Sequence, residues 1–190
     1  MTERVDFYVL AGADPRLRLR VGCRLAEKAY LRNLKVLIAL ESEDEARALD
    51  ELLWTFHDRA FVPHHCCGEG ACGEPELPVH LRASLEPAEA AEAAEAAVGE
   101  VGVMGAAEGI GAAGDVEAAG AAGPMGADLL INLADRPPAQ MLRFARIAEV
   151  IDSDPERRRL GRERFKAYRE LKIPLETHQL GDAADAAAEQ

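Results

Sequence analysis

Apolar residues along this chain fall into short runs separated by polar stretches, and their period switches between that of a strand and that of a helix. Arg4 to Leu10 (RVDFYVL) mixes aromatic and β-branched residues and ends at Ala11-Gly12-Ala13-Asp14-Pro15, which predicts a strand and a turn. Asp14 has the chemistry of an N-cap and Pro15 that of a first helical residue. Leu17, Val21, Leu25 and Ala29 then recur at helical spacing as far as Asn33. Lys35 to Leu40 (KVLIAL) is a continuous apolar run of the kind found in strands covered on both faces, and Ser42-Glu43-Asp44-Glu45 opens a helix to about Trp54. Val79 to Leu81, Asp128 to Leu133 and Ala148 to Ile151 predict further strands, with helices over Pro138 to Arg146 and Asp154 to Leu171. Strand and helix in alternation predict an α/β fold: a Rossmann-like, open, mostly parallel sheet with helices on both faces and right-handed crossovers.

One segment breaks the pattern. Residues 86–127 include 16 Ala, 9 Gly and eight acidic residues, and no basic ones. The Ala and Glu content of its first part suits a helix, whereas the Gly-rich remainder has too few large apolar side chains to pack. The expected organisation is a single domain formed by residues 1–85 and 128–180, with a largely mobile insertion at 86–127 and a fraying tail at 181–190. The chain has no run of about 18 apolar residues, and its first ten lack the apolar core of a signal peptide, so a cytoplasmic location is expected and no membrane. Four cysteines, Cys23, Cys66, Cys67 and Cys72, are then expected as thiols.

The formal net charge is -12, yet Glu156 to Arg169 gathers seven Arg or Lys residues against two Glu. An acidic chain with one basic stretch argues against a protein that works mainly by neutralising phosphates and fits better with a local site for an acidic peptide. On a helical wheel Arg158, Arg162, Phe165, Lys166 and Arg169 share one arc, with Leu160, Arg164, Ala167, Tyr168 and Leu171 opposite. The second arc offers apolar surface to dock on the sheet. The first reads as a solvated basic face, as a peptide site in which a ring accompanies cations, or as a stacking surface for single-stranded nucleic acid.

Other candidates are weaker. Gly109-Ile110-Gly111-Ala112-Ala113-Gly114 spells the dinucleotide fingerprint but follows no strand, and the turn after the first strand, AGADPR, has a single Gly. His64, His65, Cys66, Cys67 and Cys72 offer zinc ligands within one loop, without the second pair that zinc motifs bring from elsewhere; a Gly-rich loop with incidental thiols is the other reading. Ser42 and Ser84 stand in no nucleophile elbow, and nothing assembles a catalytic centre or cofactor site. Trp54, Phe56 and Phe61 lie in an irregular segment running to Val62, Pro63 and His64, as interface anchors or as a cover for the sheet edge.

Taken in order, DFYVL, KVLIAL with LDELLW, FVPH before a GEG loop, DLLINL and RERFKAYR resemble the chi subunit family of the bacterial DNA polymerase III holoenzyme. The likeness covers nearly all of the chain outside 86–127 and the last ten residues. It implies a Rossmann-like fold without nucleotide chemistry, a heterodimer with the psi subunit of the clamp loader, and capture of the acidic C-terminal tail of single-stranded DNA-binding protein, with DNA met only indirectly. Carried over by position, it implies Arg158, Arg162 and Lys166 as tail-binding cations, joined by Phe165 and Arg169, with Ile151 on the apolar side of a pocket for the tail's terminal Phe. It places Trp54 and Phe61, with Val62, Pro63 and His64, on the psi-facing surface. The reading is a non-catalytic adaptor without cofactors; a nucleotide-dependent Rossmann enzyme and a direct single-strand binder are the alternatives.

Overall fold

The computed structural model describes residues 2–58, 61–67, 77–83, 126–136 and 141–181. Seven strands form one sheet: β1 (Arg4–Leu10), β2 (Val36–Leu40), β3 (His64–Cys67), β4 (Val79–Ala83), β5 (Leu129–Asn132), β6 (Arg146–Ile151) and β7 (Leu175–Leu180). Their order is β3-β4-β2-β5-β6-β1-β7, and every adjacent pair is parallel. The described helices are α1 (Pro15–Tyr30), α2 (Glu43–Thr55) and α3 (Pro155–Glu170).

The helix starts are chemically set. Asp14 accepts a hydrogen bond from the Arg16 amide ahead of Pro15, and Ser42 accepts one from the Glu45 amide. Asp154 accepts from the Glu156 and Arg157 amides, and these contacts hold its carboxyl below the usual carboxylate range. Asn33, at φ 58°, turns the chain out of α1.

The connection β1-α1-β2-α2-β3 moves one way across the sheet, whereas β6-α3-β7 moves the other. Right-handed crossovers therefore put α1 and α2 on one face and α3 on the opposite face. Two cores follow. Leu19, Val21, Cys23 and Ala26 of α1 with Leu49 and Leu53 of α2 cover Leu10, Ile38, Leu40 and Leu81, and burial there pushes the Cys23 thiol up to about 12. Tyr168 and Phe165 of α3 meet Phe7, Leu37, Ile147 and Ile151 on the other side.

Expectation and structure part at four places. No α-helix occupies Pro138 to Arg146 among the described residues: Met141–Arg143 is a single 3-10 turn, Phe144 is fully buried, and Arg146 already pairs with Arg4 and Leu129. The expected loop at His64 to Cys67 is an edge strand, in register with Val79 to Arg82. Leu175 to Leu180 is also an edge strand, whose residues are only half-buried or exposed. On α3 the docked side is centred on Gly161 and Tyr168, so Ala167 and Leu171, expected to dock, are exposed, and Phe165, expected outside, is half-buried. The segments 84–125 and 182–190, with the fingerprint at 109–114 and the expected mobility of 86–127, lie outside the described residues.

Candidate functional site

At the carboxyl end of the sheet, between α3 and strands β1, β6 and β7, lies a cavity of about 390 Å³. Phe7, Val9 and Ile151 form its floor, with Thr177 and Gln179 beside Phe7 and Val9 in register; Arg158, Gly161, Arg162 and Phe165 of α3 form its wall.

This wall exists because α3 is anchored from below. Glu149, fully buried on β6, accepts hydrogen bonds from the Tyr168 hydroxyl at 2.8 Å and Asn132 at 2.9 Å, and pairs with Arg164 at 3.0 Å. The buried Glu149 carboxylate is thus partnered, as its desolvation requires. Burial and the Glu149 carboxylate push the Tyr168 phenol well above its ordinary value. Gly161 permits the close approach: a Cβ there would stand 2.2 Å from Ile151 Cδ1. Phe165 meets Phe7 edge-on, with ring centroids 5.2 Å apart.

The basic stretch divides into spent and available charge. Arg157 pairs with Asp152 at 2.9 Å, Arg159 pairs with Glu156 and Glu163, and Arg164 serves Glu149. Arg158 donates to the backbone carbonyls of Asp152 and Leu10 at 3.3 and 3.4 Å, which fixes its guanidinium at the cavity mouth. Arg162, Lys166 and Arg169 are exposed and make no ion pair among the described residues. Of the expected tail-binding residues, Ile151, Arg158, Arg162 and Phe165 therefore converge on one cavity, while Lys166 and Arg169 continue outward along α3 and do not line it. Sequence reasoning missed Phe7, Val9, Gly161, Thr177 and Gln179. A glycine in the middle of an otherwise good helix was the available signal for a close approach.

The aromatic cluster lies at the other edge of the sheet. Trp54 is 48% exposed and Phe61 66%, with ring centroids 5.6 Å apart. Val62 is fully buried in the core, and His64 packs beneath Trp54 at 4.9 Å with its ring bonded to the Val62 carbonyl and to Asp50. The outward surface thus consists of Trp54 and Phe61 flanked by half-buried Pro63; Val62 and His64 support it from inside.

β3 divides the expected zinc ligands between the two faces of the sheet. Successive strand residues face opposite sides, so Cys66 joins the α1 and α2 core while His65 stands beside His80 on the other face, 6.4 Å between centroids. His64, His65 and Cys66 cannot share one ion; the Cys67 side chain and Cys72 lie outside the described part. Asp6, Glu176 and His178 do come within 4.8 Å of one another. Arg4 and Arg146 pair with Asp6 at 2.6 and 3.0 Å, which makes this an ion-pair knot tying β1, β6 and β7. Burial raises the Asp6 pKa, but hydrogen bonds from Arg4, Arg146 and His178 outweigh it and hold the carboxyl below its ordinary value. No described helix is long and apolar enough to cross a membrane.

Comparison with known proteins agrees on one family. The family described as DNA polymerase III chi subunit, HolC, matches residues 1–101 and 105–176, including most of the 86–127 segment. DNA polymerase III subunit chi of Pseudomonas aeruginosa is 35% identical over 177 residues, covering 93% of this chain and 96% of that protein. The Haemophilus influenzae subunit is 25% identical over 181 residues, covering 95% and 100%, and the Escherichia coli subunit 25% over 155 residues, covering 82% and 80%. In fold alone, the chain is similar to the crystal structure of T4 UvsW, with a TM-score of 0.54 at 9% identity over 94% of this chain and 42% of that one.

Proposed function

The chain belongs to the DNA polymerase III chi subunit family, and on that premise we propose that it is a non-catalytic adaptor in the replisome, joining psi to the acidic tail of single-stranded DNA-binding protein. The observation that carries this reading is the cavity between α3 and the β1-β7 edge. An apolar floor accepts a terminal aromatic side chain, Arg158 is fixed at the mouth, and Arg162 stands exposed above it to meet carboxylates.

Adaptor function also needs two surfaces that do not compete. Trp54 and Phe61 sit beside β3, and the cavity sits beside β7, at opposite ends of a seven-strand sheet. Six inter-strand steps separate those edges by roughly 29 Å. Psi at one edge and the tail at the other can therefore be held together. Sedimentation of the protein with psi and intact single-stranded DNA-binding protein tests this. A ternary complex is expected; removing the binding protein's tail should release that protein alone, and the Phe61→Ala variant should weaken retention of psi alone. Retention of DNA by the isolated protein with no binding protein present would favour the single-strand binder instead.

A further inference from the structure

β7 ends the sheet and pairs, among the described residues, only with β1. Its backbone parity is set at both ends: the Val5 amide donates to the Pro174 carbonyl at 3.0 Å and the Ala11 amide to the Leu180 carbonyl at 3.2 Å. In a parallel ladder each residue offers its N–H and C=O to one neighbour and the next residue offers its own to the other side. Glu176, His178 and Leu180 thus serve β1, and Leu175, Thr177 and Gln179 turn their backbone groups to the open edge. Side chains follow the same period of two. Thr177 and Gln179 are the β7 residues that line the cavity, so the residues with outward backbone groups are those on the cavity face. Edges are commonly blunted by Lys, Pro or a bulge, and β7 (LETHQL) has neither Lys nor Pro. Its Glu176 and His178 are engaged on the far face, with Arg4 and Asp6. The cavity is therefore walled by α3 on one side and runs out, on the other, to a strand edge that is unpaired among the described residues.

We propose that this edge is half of the peptide site: an extended acidic segment adds to the sheet as a strand alongside β7, bonded to the backbone of Leu175, Thr177 and Gln179. Its apolar side chain enters the cavity and its carboxylates face Arg162. The proposal rests on the tail-capture reading and specifies its mode. The occupant is acidic because the charges at the mouth are guanidinium groups, and extended because only an extended chain satisfies an edge.

The test is calorimetric titration of the full-length protein with a short acidic peptide ending in Phe, and with variants of it N-methylated at one amide at a time. Strand addition predicts alternation. Methylation at every second amide should weaken binding by about tenfold, the range of one hydrogen bond, with the intervening positions tolerated. Thr177→Pro removes only an outward N–H, which an edge strand tolerates, and should bind at least about fivefold more weakly than Thr177→Val. An unmodified peptide that binds while all its methylated forms match it would overturn strand addition and leave tail capture standing. Failure of the unmodified peptide to bind would overturn both. If Thr177→Pro does not fold, the methylation pattern alone decides.

Discussion

Gly161→Ala separates the packing of α3 from the service that packing gives to the cavity. The new Cβ would lie 2.2 Å from Ile151 Cδ1, 3.2 Å from Cγ1 and 3.6 Å from Cγ2, where carbon contacts settle at about 3.5 to 4.0 Å. The δ-methyl group must therefore move by more than about 1 Å. Ile151 lines the cavity, and the open space beside it is the cavity itself. Overpacking of this kind costs about 1 to 3 kcal/mol, and replacing a mid-helix Gly by Ala returns about 1 kcal/mol, so the net loss of stability should be about 0 to 2 kcal/mol. Losing room for one methylene of an apolar anchor costs about 0.8 kcal/mol of binding, or roughly fourfold. Urea unfolding gives the first quantity, and titration with an acidic peptide ending in Phe gives the second. A variant that is more stable by the full helical increment and binds undiminished would refute the reasoning, because Ile151 would then have turned aside without entering the cavity.

Other outcomes follow from the same contacts. Glu149→Ala leaves Arg164 buried without its carboxylate and should cost about 3 to 5 kcal/mol in urea unfolding. Asp6→Asn should destabilise by about 1 to 2 kcal/mol at neutral pH, since the arginines it pairs with are partly exposed. The Asp6 carboxyl titrates lower folded than unfolded, so its contribution is present above the ordinary value of 3.8 and disappears as pH falls through the lower folded value; the gap between wild type and Asp6→Asn should close in that acid range. Phe61→Ala, at an exposed position, should change unfolding by less than about 0.5 kcal/mol and weaken psi binding by more than about 1 kcal/mol in a paired titration.

The parts of the fold that follow from strong local chemistry were legible in the sequence. RVDFYVL, KVLIAL and the caps at Asp14 and Ser42 appear where their patterns put them, and the helix expected from Asp154 begins there. Both edge strands were not legible, for one reason: HHCC and LETHQL are covered on at most one face, so neither needs the apolar run that marks a central strand. The basic helix was recognised, with Arg162, Lys166 and Arg169 outside and Tyr168 docked, but Phe165, Ala167 and Leu171 were misplaced, since a wheel weighted by side chains gives no weight to Gly161, where α3 comes closest to Ile151. Charge counting likewise could not separate Arg157, Arg159 and Arg164, consumed by internal carboxylates, from Arg162, which is not.

Arg162 therefore provides the most direct measurement. Calorimetric titration of an acidic peptide ending in Phe into wild type and Arg162→Ala, at low and high salt, compares a cavity with and without its exposed guanidinium. Tail capture predicts a loss of about 1.5 to 3 kcal/mol in the variant, a salt dependence that is steeper for wild type, and an unchanged melting curve, because the side chain makes no ion pair among the described residues. Equal affinities for the two proteins at both salt concentrations would contradict it and return α3 to the role of a solvated basic helix.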